Sequence, residues 1–126
     1  MAKRKKQTRA HDFTPAVRKR IEDRDMGCIF CRMGYHMPEY DYFATHAFSI
    51  MHYIPRSQGG LGIEQNAAVG CIHHHNLMDN GNKGLRPEML GLMKAYLQRI
   101  YPGWNEDELI YNKWKGMEEC LQERTN

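Results

Sequence analysis

The 126-residue chain contains no run of eighteen apolar residues, so nothing in it predicts a membrane-spanning helix. Its opening, MAKRKKQTRA, lacks the apolar segment of a secretory signal. Both absences predict an intracellular, cytoplasmic protein with no membrane partner. Internal repeats are missing, and low complexity is confined to the basic start. Hydrophobic residues make up 41% of the chain, which at this length suits a single domain with a modest core. A core of that kind gains from a metal staple. Cysteine is scarce: Cys28, Cys31, Cys71 and Cys120. In a reducing compartment such a set reads as metal ligands sooner than as disulfides.

Two further absences exclude function classes. The glycine-rich SQGGLG at 57–62 has neither the lysine nor the following Ser/Thr of a phosphate-cradling loop, and no strong helix follows it. The Cys28-Ile29-Phe30-Cys31 motif lacks the βαβ surroundings of a thioredoxin-like redox site.

What is present is unevenly charged. Residues 1–24 carry nine Lys/Arg against three Asp/Glu, the middle of the chain is balanced, and residues 103–126 hold three against six. A basic arm before a neutral body suits a polyanion, whose phosphates Lys3, Arg4, Lys5 and Lys6 would neutralise. The alternative for that arm is a solvated tail, and the chain divides into a basic disordered arm (1–12) and one domain (13–126).

Two residues lie between Cys28 and Cys31, and Cys71 and His74 repeat the spacing. Zinc takes four N/S ligands in a tetrahedron, and each short loop supplies two of them. These four residues therefore form a candidate structural zinc site of Cys3His type. Cys120 stands alone and reads as an ordinary helix residue.

Secondary-structure signals frame this site. Thr14-Pro15 is a cap with proline at the first helical position, opening a helix that ends near Asp25. Segments 43–45 and 48–54 read as extended, the second ended by Pro55. Residues 66–70 are short, apolar and extended, and a helix runs from about His73 to Met78 before Asp79-Asn80-Gly81 stops it. Met89, Leu90, Met93, Tyr96, Leu97 and Ile100 recur at helical steps within 87–101, a stripe read as core packing. Asn105 with Glu106, Asp107 and Glu108 looks like a cap opening a last helix that reaches about Glu123.

After the first Cys pair come HYIPRSQGG, EQN and CIHHH, in that order, the last containing the second pair. This series resembles the HNH endonuclease family over roughly residues 28–81, and most closely its zinc-bracketed bacteriophage members. The resemblance implies an α+β fold: a ββα-metal core (about 26–84) stapled by zinc, with an N-terminal helix and a C-terminal helical part (85–126). It implies a DNA endonuclease in which His52 is the general base, Asn66 bridges the loop behind it, and His75 ligates a divalent cation. Asp79, one helical turn beyond His75, offers that cation an oxygen. Mg²⁺, Mn²⁺, Ni²⁺ or Zn²⁺ would serve, and Arg56 would clamp a phosphate. The implied partners are DNA and phage terminase or packaging proteins. Two departures stand out. Met51 occupies a position where many members carry another ligand, with His46 a candidate substitute, and His74 replaces the cysteine of the commoner C-x-x-C-H. Met51 keeps open a second reading, a zinc-ordered DNA-binding or packaging-accessory module with little nuclease activity.

Overall fold

The computed structural model describes residues 10–80 and 84–111. Lys3, Arg4, Lys5, Lys6 and Cys120 lie outside them, as does any helix beyond Tyr111. The architecture is mixed α and β, built on a small two-stranded antiparallel sheet.

Helix α1 (Pro15–Asp25) starts where Thr14 accepts a hydrogen bond from the Val17 N–H at 3.2 Å, with proline in the first turn. It ends at Met26, which adopts a left-handed conformation. The chain then enters a single helical turn, α2 (Ile29–Arg32), capped by the Cys28 sulfur. The segment 43–45, expected to be extended, is instead helical in α3 (Tyr42–His46). Asp41 overrides the β-preference of the aromatic residues there: its carboxylate accepts from the Ala44 N–H at 3.0 Å.

Strand β1 (Phe48–His52) pairs with β2 (Ala67–Cys71) in a register running from Phe48–Cys71 to His52–Ala67. All five β2 residues are buried, because both faces of the sheet are covered. On one side α1 brings Ile21 against Ala67 and Val69. On the other, Met51 and Ala68 meet Phe30, Met78 and helix α5 (Arg86–Ile100), whose Met89, Met93 and Leu97 are fully buried. The methionine stripe is therefore core. Gly70 belongs to this packing: a Cβ there would lie 2.4 Å from the Met51 sulfur.

Helix α4 (Ile72–Asn80) follows β2 directly, longer at both ends than its sequence signals suggest. The expected last helix is, within the described residues, one 3₁₀ turn (Glu106–Leu109). Backbone pairing stops it: Leu61 N–H donates to the Leu109 carbonyl and Tyr111 N–H to that of Gly59, drawing Ile110 alongside Gly60.

One buried charge holds α1, the sheet and α5 together. Asp25, with no exposed surface, accepts from the Val69 N–H at 2.8 Å, from the Tyr96 hydroxyl, and twice from Arg24. Arg24 also donates to the carbonyls of Glu64 and Ala67 and to the Tyr101 hydroxyl. Burial alone would lower the affinity of Arg24 for its proton, yet the bonds to Asp25 and Tyr101 raise it.

Candidate functional site

The two cysteine/histidine turns meet at the junction of α2, β2 and α4. In each, the leading sulfur accepts a backbone N–H, Cys28 from Cys31 and Cys71 from His74, both at 3.4 Å. The turns are thus preformed, and four ligand atoms from Cys28, Cys31, Cys71 and His74 lie within 4.8 Å of one another. Cys31 and Cys71 sulfurs are 3.7 Å apart, and His74 Nδ1 is 3.5, 3.5 and 3.2 Å from Cys28, Cys31 and Cys71. Tetrahedral zinc with bonds of ~2.3 Å to sulfur and ~2.05 Å to nitrogen implies edges of about 3.8 and 3.6 Å. The cluster fits the ion: it could hold a structural metal such as zinc.

The surroundings of His74 favour the same chemistry. Its Nε2 donates to the Tyr35 carbonyl, which leaves Nδ1 as the bare nitrogen facing three sulfurs. Burial works against ionising Cys28, but the hydrogen bond it shares with His74 Nδ1 and backbone hydrogen bonds at Cys31 and Cys71 draw its thiol down to about 7. Burial and the neighbouring Cys28 charge push Cys31 up, and burial raises Cys71. Three crowded thiols cannot all ionise unaided, whereas a divalent cation would let them. Of the three consecutive histidines, His73 instead reaches the His36 carbonyl at 2.7 Å.

A second group of side chains lines a cleft of about 340 Å³ between β1, the loop after it, and α4. His52, Arg56, His75, Asp79 and Arg86 all border it. On α4, His75 Nε2 lies 2.7 Å from an Asp79 oxygen, the i, i+4 contact expected on one helical face. The other nitrogen of His75 meets the Ser49 hydroxyl at 2.7 Å. Arg86 approaches the second Asp79 oxygen at 3.5 Å.

His52, at the end of β1, packs its ring against Phe13 with centroids 4.4 Å apart. Its Nε2 is buried without a hydrogen-bond partner. Burial lowers its pKa below the ordinary 6.5, outweighing the raising effects of a hydrogen bond to the His11 backbone and of the Asp12 charge. Asn66 is fully buried, and its amide closes the loop between the strands. It accepts from the Ile54 N–H at 2.8 Å and donates to the carbonyls of Ile54 and Leu61.

Some expectations need adjusting. Arg56 borders the cleft but is held by Asp12 at 2.8 Å, so its charge is already partly balanced. Met51 is a core residue, 2% exposed, with its sulfur over Gly70. His46 does not border the cleft: it stacks on Tyr42 and contacts the Tyr42 carbonyl at 2.8 Å.

Sequence reasoning missed Ser49, Arg86, Asp12 and Phe13. Ser49 had a signal, since strand alternation puts it on the Met51 face, toward α4. The other three depend on loop paths that no local pattern encodes. Segment 10–13 is pinned by the Gly62 N–H donating to the Ala10 carbonyl and by His11 Nδ1 contacting the Gly60 oxygen at 2.6 Å. A side chain on Gly62 would strike the Asp12 carbonyl at 2.2 Å, so this close approach requires glycine.

No protein-family model, curated protein or solved structure matches the chain. Among the described residues, no helix is long and apolar enough to cross a membrane.

Proposed function

We propose that this chain is a phage-encoded, metal-dependent DNA endonuclease of the HNH type, with a ββα core, acting on DNA in a host cytoplasm. The observation that carries this reading is the shared cleft of His52, His75 and Asp79, with Arg56 and Arg86 on its border. The contents suit a phosphodiester: a base, a nitrogen–oxygen ligand pair and two guanidinium groups.

His52 would accept the proton of the attacking water. Its depressed pKa keeps the ring neutral at physiological pH, and its Nε2 lone pair is unpartnered but covered, so its cover must part for water to reach it. His75 and Asp79 would hold a divalent cation, Mg²⁺, Mn²⁺, Ni²⁺ or Zn²⁺, whose chemistry when bound is to polarise a non-bridging oxygen and stabilise the leaving 3′ oxygen. For that role His75 must present a bare Nε2, so Nδ1 carries the proton and donates to Ser49. Asn66 positions the loop that carries Arg56, and Arg56 and Arg86 would receive phosphate oxygens. The arm with Lys3, Arg4, Lys5 and Lys6 would add contacts along the DNA backbone.

Plasmid incubated with Mg²⁺, Mn²⁺ or Ni²⁺ should be nicked or cut, and EDTA should stop it. His52→Ala should lower the rate by about 10² to 10⁴ without loss of bound zinc. Undiminished cutting by that variant would overturn the assignment. Burial of Met51 favours one alternative, because β1 then supplies no further ligand beside His75 and Asp79. In that case the chain is a zinc-ordered DNA-binding or packaging-accessory module, and the plasmid stays intact with every metal.

A further inference from the structure

The stretch just before β1 is unusual for a small domain. Tyr40 is 91% exposed, Phe43 73%, Tyr42 67% and Phe48 51%. Large apolar rings gathered on a surface point to something that covers them. Three rings form a series. Tyr42 and His46, one turn apart on α3, stack at 3.9 Å with their planes 14° apart, and the Phe48 ring follows at 6.3 Å from His46.

The series leads toward the cleft. Phe48 borders a second hollow of about 340 Å³, together with Arg18, Glu22, Gly27 and Ile50. Ile50 borders both this hollow and the His52 cleft, so the two adjoin along β1. Among the described residues, β1 pairs only with β2, which leaves its other edge without a strand. Four residue steps along the strand take Phe48 to His52, a span of about 13 Å.

We propose that Tyr42, His46 and Phe48 form a stacking platform for the unpaired bases of single-stranded DNA next to the cleaved phosphodiester. This deepens the nuclease reading and rests on it. Every base has a π face, and an aromatic ring binds it whatever the sequence. In a duplex those faces are hidden in the base stack, so the rings are useful only where the strand is unpaired. The local charge is mixed. Glu39 and Asp41 adjoin Tyr40 and Tyr42 in the chain, and the Asp41 carboxylate is engaged in capping α3. Exposed Arg18 borders the same hollow as Phe48 and Glu22, makes no side-chain hydrogen bond or ion pair among the described residues, and can take a backbone phosphate. The preferred substrate is then DNA carrying a gap, branch or overhang beside the cut.

The test uses the full chain with His52→Ala in zinc-replete buffer without other added metal, so that nothing is cut. Anisotropy of a labelled oligothymidylate and of a hairpin duplex reports binding. Tyr42→Leu and Phe48→Leu, at exposed positions, should each weaken single-strand binding about tenfold and change duplex binding by less than about twofold. Phe48→Trp should keep single-strand binding, with its emission quenched by the stacked base. Equal losses on both ligands would overturn the platform. No loss on either would also overturn it, and would assign the rings to a protein partner. Ring-dependent single-strand binding by a chain whose native form cuts no DNA with any metal leaves the platform standing and sinks the nuclease reading. Metal-dependent cutting with ring-independent binding does the reverse.

Discussion

His52 Nε2 is a buried nitrogen without a hydrogen-bond partner, and such atoms in native proteins call for a reason. Readiness to accept a proton is one, and it makes a prediction about pH. Burial holds the His52 pKa below 6.5, so the ring stays neutral further into the acid range than a free imidazole. The acid limb of a cleavage profile should therefore have its midpoint below 6.5, and a midpoint at or above that value would contradict His52 as the base. The sign for folding is the same. A neutral ring favoured by the fold supports stability above 6.5, and that support is lost as pH falls through the depressed value. At this scale the zinc candidates were legible, because the x2 spacing is local and its chemistry narrow. The role of each consecutive histidine was less so. His74 turns to the sulfurs, His73 to the His36 carbonyl and His75 to Ser49, a division that depends on where α4 docks.

At the scale of elements, signals carried by a few adjacent residues read well. Thr14-Pro15 does open α1, and the Met89, Met93 and Leu97 stripe does face the core. The failures came where a distant contact decides. Nothing near Leu109 announces that the chain will pair with the loop at 59–61 instead of continuing as a helix. Asp25 is the strongest case: at the end of a charged helix it looks solvated, yet Val69, Tyr96 and Arg24 enclose it. Removing one partner from such a pair leaves the other charge buried and unmatched. Asp25→Ala should accordingly cost about 3–5 kcal/mol in urea unfolding, and a loss below about 1 kcal/mol would show the network to be dispensable.

For the molecule as a whole, the Cys3His cluster ties residues 28–31 to residues 71–74 across the intervening α3 and β1. Zinc contributes about 10–16 kcal/mol of apparent binding energy in small zinc-finger peptides, comparable with the whole stability of a domain at about 5–15 kcal/mol. Purified protein should therefore contain one zinc per chain by elemental analysis. Stripping the metal, or Cys31→Ser, should abolish or broaden the cooperative thermal transition. A sharp melt unchanged after stripping would remove the ion from any structural role.

The segment at 10–13 has one more effect. Phe13 packs on the His52 ring and Asp12 holds Arg56, so two of the residues bordering the cleft are supported by the short stretch ahead of Thr14. Proteolysis ahead of Thr14 would leave α1 and its cap intact. It would nevertheless uncover the imidazole and subtract a negative charge from beside the guanidinium, so cutting the chain at that point would change the electrostatics of the cleft.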